Sequence, residues 1–140
     1  MKREQFSLNA DPAPTDSSQP PTIEITYDGS SETLLQRLST PEGDRRRGED
    51  VDVAFRLQDE QRGVLSISDR LTGAFVCEVD ADADRVTDVV SAAEDGDGRY
   101  RIEITGAEEA WSVQKRTLLV YDGDGRLLRT CSLIPGSVEL

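Results

Sequence analysis

Residues 111–134, WSVQKRTLLVYDGDGRLLRTCSLI, decide how the rest of the chain is read. Leu118 to Tyr121 is an unbroken apolar run, Asp122-Gly-Asp-Gly125 is turn chemistry whose glycines are free to take positive φ, and Leu127 onward is apolar again. The pattern predicts two long strands joined by a tight turn, a β-hairpin. Lys115, Arg116, Arg126 and Arg129 set against Asp122 and Asp124 give this stretch a net charge of +2, so with a total of −12 the remainder carries −14. The most apolar long element is also the basic one.

Working outward from the hairpin, Arg99 to Thr105 alternates and buries Tyr100, Ile102 and Ile104, with Gly106 to Ala110 as a loop. Before it, Asp80 or Asp82 caps a helix running to about Glu94, whose apolar stripe is Ala83, Val86, Val89, Val90 and Ala93. Three strands with short links precede that helix and predict an antiparallel meander. They bury Val51, Val53, Phe55 and Leu57, then Leu65 and Ile67, then Phe75, Cys77 and Val79. Ser30 or Ser31 caps a shorter helix with Leu34, Leu35 and Leu38 on one face, and Thr22 to Tyr27 alternates as a strand with one wet side. Phe6 and Leu8 fit a short first strand, followed by a Pro/Ser/Asp-rich linker, Asn9 to Pro21. The expected organisation is an N-terminal strand and flexible linker over 1–21 and a single α+β domain over 22–140. The domain is expected as a predominantly antiparallel sheet of about seven strands with two helices packed on one face, in the order β-α-βββ-α-βββ; two separate sheets around the helices are the alternative.

Composition bounds the chemistry. The acids are 16 Asp and 12 Glu, the bases 14 Arg and only 2 Lys. Such an Asp-rich, Lys-poor surface stays hydrated in concentrated salt, where self-repulsion is screened over about 3 Å at 1 M, and it points to the cytoplasm of a salt-accumulating organism. Leu, Ile, Val and Phe make up 33 of 140 residues, enough for a folded core. The N-terminus lacks a signal-like apolar segment and no 18-residue apolar run occurs, so neither secretion nor a membrane span is expected. Cys77 and Cys131 fall in predicted strands without metal-ligand spacing and are expected as buried free thiols, a cross-strand disulfide being the alternative.

There is no histidine, no GxSxG elbow, no P-loop and no GxGxxG. Asp80, Asp82 and Asp84 have the opening spacing of a calcium loop, but Arg85 stands where glycine is needed; Asp95/Asp97 and Asp122/Asp124 fail at Arg99 and Arg126. These acids are expected to cap and turn the chain, with no metal and no cofactor. Arg45, Arg46 and Arg47 lie among Glu42, Asp44, Glu49 and Asp50, and local pairing is expected ahead of nucleic-acid binding.

DVAFRLQD (52–59), GVLSISDRLTGAFV (63–76), DADADRVTDVVSAA (80–93), GRYRIEI (98–104) and KRTLLVYDGDGRLLRTCSLIPGSVEL (115–140) together resemble an uncharacterised haloarchaeal protein family, a domain of unknown function. The resemblance implies a small halophilic cytoplasmic protein with no assigned activity, and it carries no catalytic residue over. From the residues themselves, the first expectation is a non-enzymatic binding or adaptor domain that engages an unknown protein partner or itself. Trp111, Lys115, Arg116, Arg126 and Arg129 are its candidate binding residues, with Leu118, Val120 and Leu128 as the apolar share; the plainer reading makes most of these sheet core. The alternative is a small enzyme or anion-binding protein with a pocket between helices and sheet, using Arg99, Arg101, Arg116 and Arg129.

Overall fold

The computed structural model describes residues 3–14, 19–106 and 110–135. Its strands are β1 (Phe6–Asp11), β2 (Thr22–Tyr27), β3 (Val51–Leu57), β4 (Arg62–Asp69), β5 (Phe75–Asp82), β6 (Tyr100–Thr105), β7 (Trp111–Lys115) and β8 (Leu119–Tyr121). Two helices, α1 (Ser31–Arg37) and α2 (Ala83–Asp95), interrupt them. The strands form two mixed sheets of four, ordered β1-β2-β6-β7 and β5-β4-β3-β8. The expected seven-strand antiparallel sheet and its element order are therefore corrected: the chain takes the two-sheet alternative, and the N-terminal strand read at Phe6 and Leu8 joins the first sheet. Alternation reports that a segment is a strand with one wet face, but it does not report its neighbours. Each sheet is completed by a non-local parallel pair, Thr22–Thr26 of β2 with Arg101–Thr105 of β6, and Ala54–Arg56 of β3 with Leu119–Tyr121 of β8.

The first sheet is strictly two-faced. Register places Phe6, Leu8 and Ala10 beside Tyr27, Ile25 and Ile23, and these beside Ile104, Ile102 and their neighbours; Trp111 and Val113 extend the same face. The opposite face carries residues such as Ser7, Asn9, Glu24, Thr26, Glu103 and Ser112. Phe6 stacks on Tyr27 with ring centroids 4.7 Å apart. The apolar face shares one continuous core with the inner face of the second sheet and with both helices.

α2 packs against β1, β2, β5 and β6. Its five predicted stripe residues, Ala83, Val86, Val89, Val90 and Ala93, are all buried, and each valine contributes about 1.5 kcal/mol through removal from water. Asp82 occupies the N-cap position, but its carboxylate pairs with Arg62 at 3.1 Å and makes no capping bond. α1 begins as expected at Ser30, whose hydroxyl accepts from the Thr33 N–H, and it buries Leu34 and Leu38.

The β3-β4-β5 meander forms as read, with one change at β5. Ile67 pairs with Cys77 and Ser68 with Phe75, so Val76 is an extra residue in a β-bulge. The bulge reverses the alternation: Val76 and Cys77 are both buried, whereas Phe75, expected inward, is 51% exposed.

Residues 111–134 depart furthest from expectation. The glycine turn is real, with the Asp122 N–H donating to the Arg126 carbonyl and Gly125 at φ 82°. The two flanking limbs, however, are not a pair of long strands. β7 ends at Lys115, the chain crosses at Arg116 and Thr117, and β8 enters the other sheet. The buried Tyr100 hydroxyl holds this crossing by donating to the Thr117 carbonyl at 2.7 Å. Beyond the turn, the return limb makes only isolated bridges, Tyr121 with Leu127 and Leu118 with Leu133, around a 3-10 turn at Arg129–Cys131. Cys131 thus lies in that turn rather than in a strand, half-buried, and both cysteines are free. The centre of the linker (15–18), part of the loop before β7 (107–109) and the C-terminal residues 136–140 lie outside the described residues.

Candidate functional site

β7 turns Trp111, Val113 and Lys115 toward the core side of the first sheet, and two of these cross to the other half of the fold. The Trp111 indole donates to the Arg46 carbonyl at 2.8 Å and the residue is 3% exposed. Lys115 donates from Nζ to the carbonyls of Gly48 and Val51, both at 2.8 Å, at the entry to β3. Burial, and then the nearby Arg70, lower the Lys115 pKa from its ordinary value, while Asp52 opposes them. Gly48 fits here because it has no side chain: a Cβ would stand 2.9 Å from the Gln114 carbonyl.

Beside this crossing lies a groove of about 450 Å3 lined by Gly48, Glu49, Arg70, Arg99, Gln114, Lys115, Arg116 and Thr117. Four cations from three separated segments meet there. Arg99 is held by Asp97 at 2.7 Å and by the Gln114 side-chain oxygen at 2.9 Å. Arg70 lies 3.4 Å from Asp52. Glu49 pairs with Arg47 at 3.2 Å. Arg116 is exposed and makes no ion pair or hydrogen bond with the described residues.

Of the five candidate binding residues, the structure brings Lys115 and Arg116 into the groove, whereas Trp111 is core. Arg126 closes the Asp122 turn, its N–H donating to Asp122 Oδ1 at 2.9 Å, and Arg129 lies in the 3-10 turn. Neither lines the groove. Of the further arginines read from the sequence, Arg99 is in the groove, while Arg101 lies on the polar face of the first sheet, 2.5 Å from Glu103. Arg70 was missed, since nothing local distinguishes one arginine in a β-turn. Arg46 pairs with Asp69, and its Nε donates to the Arg37 carbonyl at 2.9 Å.

A second surface is the outer face of the second sheet. Register groups Ala54 and Arg56 of β3, Val64 and Ser66 of β4, Phe75 and Glu78 of β5, and Leu119 and Tyr121 of β8 on that face. It holds a depression of about 520 Å3 lined by Arg56, Val64, Ser66, Phe75, Glu78 and Gly123. Leu71, in the β4–β5 turn that leads to Phe75, is 93% exposed.

The strongly perturbed groups belong to the fold. Backbone N–H donors at Thr72, followed by the Arg46 guanidinium, hold Asp69 down at about 2. Asp59 is lowered by the N–H groups of Gln61 and Arg62, and Asp97 by Arg99. Burial pushes the Cys77 thiol up to about 12 and raises Tyr100 well above its usual value. Among the described residues, no three Cys, Asp or Glu side chains gather closely enough to hold a metal, and no helix is long and apolar enough to cross a membrane.

No curated protein and no solved structure matches the chain. Across residues 1–140, with the groove, the depression and the sheet crossing included, the sequence matches DUF5793, a family of unknown function, and the chain belongs to that family.

Proposed function

We propose that this protein is a non-enzymatic binding domain of a salt-adapted cytoplasm, and that it associates with a second copy of itself through the outer face of the β5-β4-β3-β8 sheet. The observation that carries this reading is the contrast between the two outward faces. One is polar throughout its register, whereas the other sets exposed Phe75 and half-buried Ala54, Leu119 and Tyr121 on one face, and the β4–β5 turn carries exposed Leu71. Exposed apolar surface rimmed by polar residues is characteristic of an interaction site. Arg56 and Glu78 line the same depression, so this face offers both signs of charge to a second copy. A net charge of −12 opposes this pairing in dilute buffer. At molar salt the repulsion is screened, and apolar burial carries the contact.

The non-enzymatic part rests on the direction of the perturbed groups. The shifted carboxylates are held ionised by turn N–H groups and arginines, which leaves them without the proton of a general acid and makes them weak as general bases. The buried thiol is held protonated, opposite to what a nucleophile requires.

Sedimentation velocity at about 0.1 M and about 3 M KCl tests the reading. The expected result is a monomer at low salt and a dimer at high salt, with the dimer lost in the Leu71→Ser, Phe75→Ser double variant. A monomer under both conditions, or a dimer indifferent to those substitutions, refutes it.

A further inference from the structure

We propose that the groove beside the sheet crossing binds a phosphate-class oxyanion, held by Arg116 and Lys115 with Arg99 and Arg70 at its sides. Acids make up 28 of the 140 residues, so cations on this chain ordinarily find carboxylates nearby. The groove departs from that rule. Arg70 and Arg99 have Asp52 and Asp97, but Arg116 has no partner among the described residues and Lys115 is satisfied only by two neutral carbonyls. The one carboxylate among the lining residues, Glu49, is paired with Arg47, which lies outside the groove. Lys115 and Arg116 therefore lie in the groove with no carboxylate in hydrogen-bond contact, and Arg70 opposes ionisation of Lys115 more than Asp52 favours it.

An anion seated among them relieves that repulsion, and the donors suit an oxyanion. An ammonium has three N–H groups, and Lys115 commits two to Gly48 and Val51, leaving one. Arg116 offers a complete guanidinium fork, which matches two oxygens of a phosphate. Arg99 is committed through Nε and Nη2 to Asp97 and through Nη1 to Gln114, so it contributes charge at the side of the groove more than free donors.

The lining also limits what else can be read. Gly48, Glu49, Arg70, Arg99, Gln114, Lys115, Arg116 and Thr117 include no aromatic ring and no large aliphatic side chain. A nucleobase or an acyl chain attached to the phosphoryl group gains no stacking or apolar burial from these residues. The chemistry recognised is the oxyanion itself.

Isothermal titration of the full chain with inorganic phosphate, in the lowest KCl concentration at which circular dichroism shows the fold intact, provides the test. A parallel titration with adenosine monophosphate distinguishes a free phosphate from the same group carried on a nucleoside. Saturable phosphate binding is expected, weakened about tenfold by Arg116→Gln through loss of a charge-assisted contact. Arg126→Gln removes a cation outside the groove and is expected to leave affinity unchanged. The nucleotide is expected to bind within about threefold of phosphate, because only its phosphoryl group is recognised. No saturable binding, equal losses in both variants, or a nucleotide more than about tenfold tighter than phosphate overturns the proposal.

Discussion

Ser132 closes the free side of β8 with a side chain instead of a strand, and replacing it with alanine isolates what that closure is worth. The residue is 2% exposed. Its Oγ accepts from the Val120 N–H at 2.8 Å and donates to the Leu128 carbonyl at 2.8 Å. The two losses are unequal. The Leu128 carbonyl still accepts from the Cys131 N–H at 3.1 Å, so it remains satisfied. Val120 is fully buried and its N–H has no substitute, so the cost is that of an orphaned buried donor, about 1–3 kcal/mol. We expect Ser132→Ala to lower the unfolding free energy by about 2 kcal/mol, and Tm by about 7 °C for a chain of this length. Urea denaturation followed by circular dichroism measures the first quantity, and amide hydrogen exchange locates it. Protection should fall first at Val120, with β4 amides following only as global stability declines. A change below about 0.5 kcal/mol, the range of ordinary surface substitutions, would show that Ser132 does not seal this edge.

Three further outcomes follow from individual contacts. Gly63→Ala places a Cβ 2.5 Å from the Arg56 carbonyl and 2.6 Å from the Phe55 ring, and a destabilisation of about 1–3 kcal/mol in thermal melts is expected; an unchanged Tm refutes the close packing. A thiol-reactive dye should label half-buried Cys131 quickly and Cys77, buried with its thiol raised to about 12, only after denaturation; two equally fast thiols contradict this. Asp69 is depressed to about 2 in the fold, so its contribution is complete above the unfolded carboxylate range and disappears as pH falls through the folded value. Asp69→Asn should therefore flatten the loss of stability between about pH 4 and pH 2, and an unaltered acid limb argues against the role assigned to Arg46 and the turn.

Where burial follows a single element's period, the sequence was legible. The α2 stripe, the inward sets of β2, β3 and β6, and the Ser30 cap emerge from spacing alone because each depends on one segment's geometry. Phe75 fails because a bulge inserts Val76 and transfers the following residues to the opposite phase, which simple alternation does not record. The hairpin fails for a different reason. Trp111–Lys115 and Leu119–Tyr121 have strand character and are separated by three residues, but nothing in their pattern says that they belong to different sheets. The parallel partners of β6 and β8 lie some 65 to 80 positions earlier, at β2 and β3. The groove was only partly visible. Lys115 and Arg116 stand out against an acidic chain, but Arg70 and Arg99 reach them only through the completed fold.

The crossing from β7 to β8 joins folding and recognition. Neither sheet has all its strands until this last described part of the chain arrives, and its two cross-stitches, Trp111 to Arg46 and Lys115 to Gly48 and Val51, tie the first sheet to the segment that begins the second. A lysine used in this way must keep a charge beside neutral carbonyls, because a carboxylate at that position would draw Nζ away from them. Two of the three Lys115 N–H groups serve the fold, Arg70 and Arg99 are tethered by their aspartates, and Arg116 sits one residue past the strand with no ion pair or hydrogen bond among the described residues. Replacing Arg116 should therefore leave stability unchanged and reveal only what the groove binds, whereas replacing Lys115 should loosen the junction of the two sheets whether or not an anion is present.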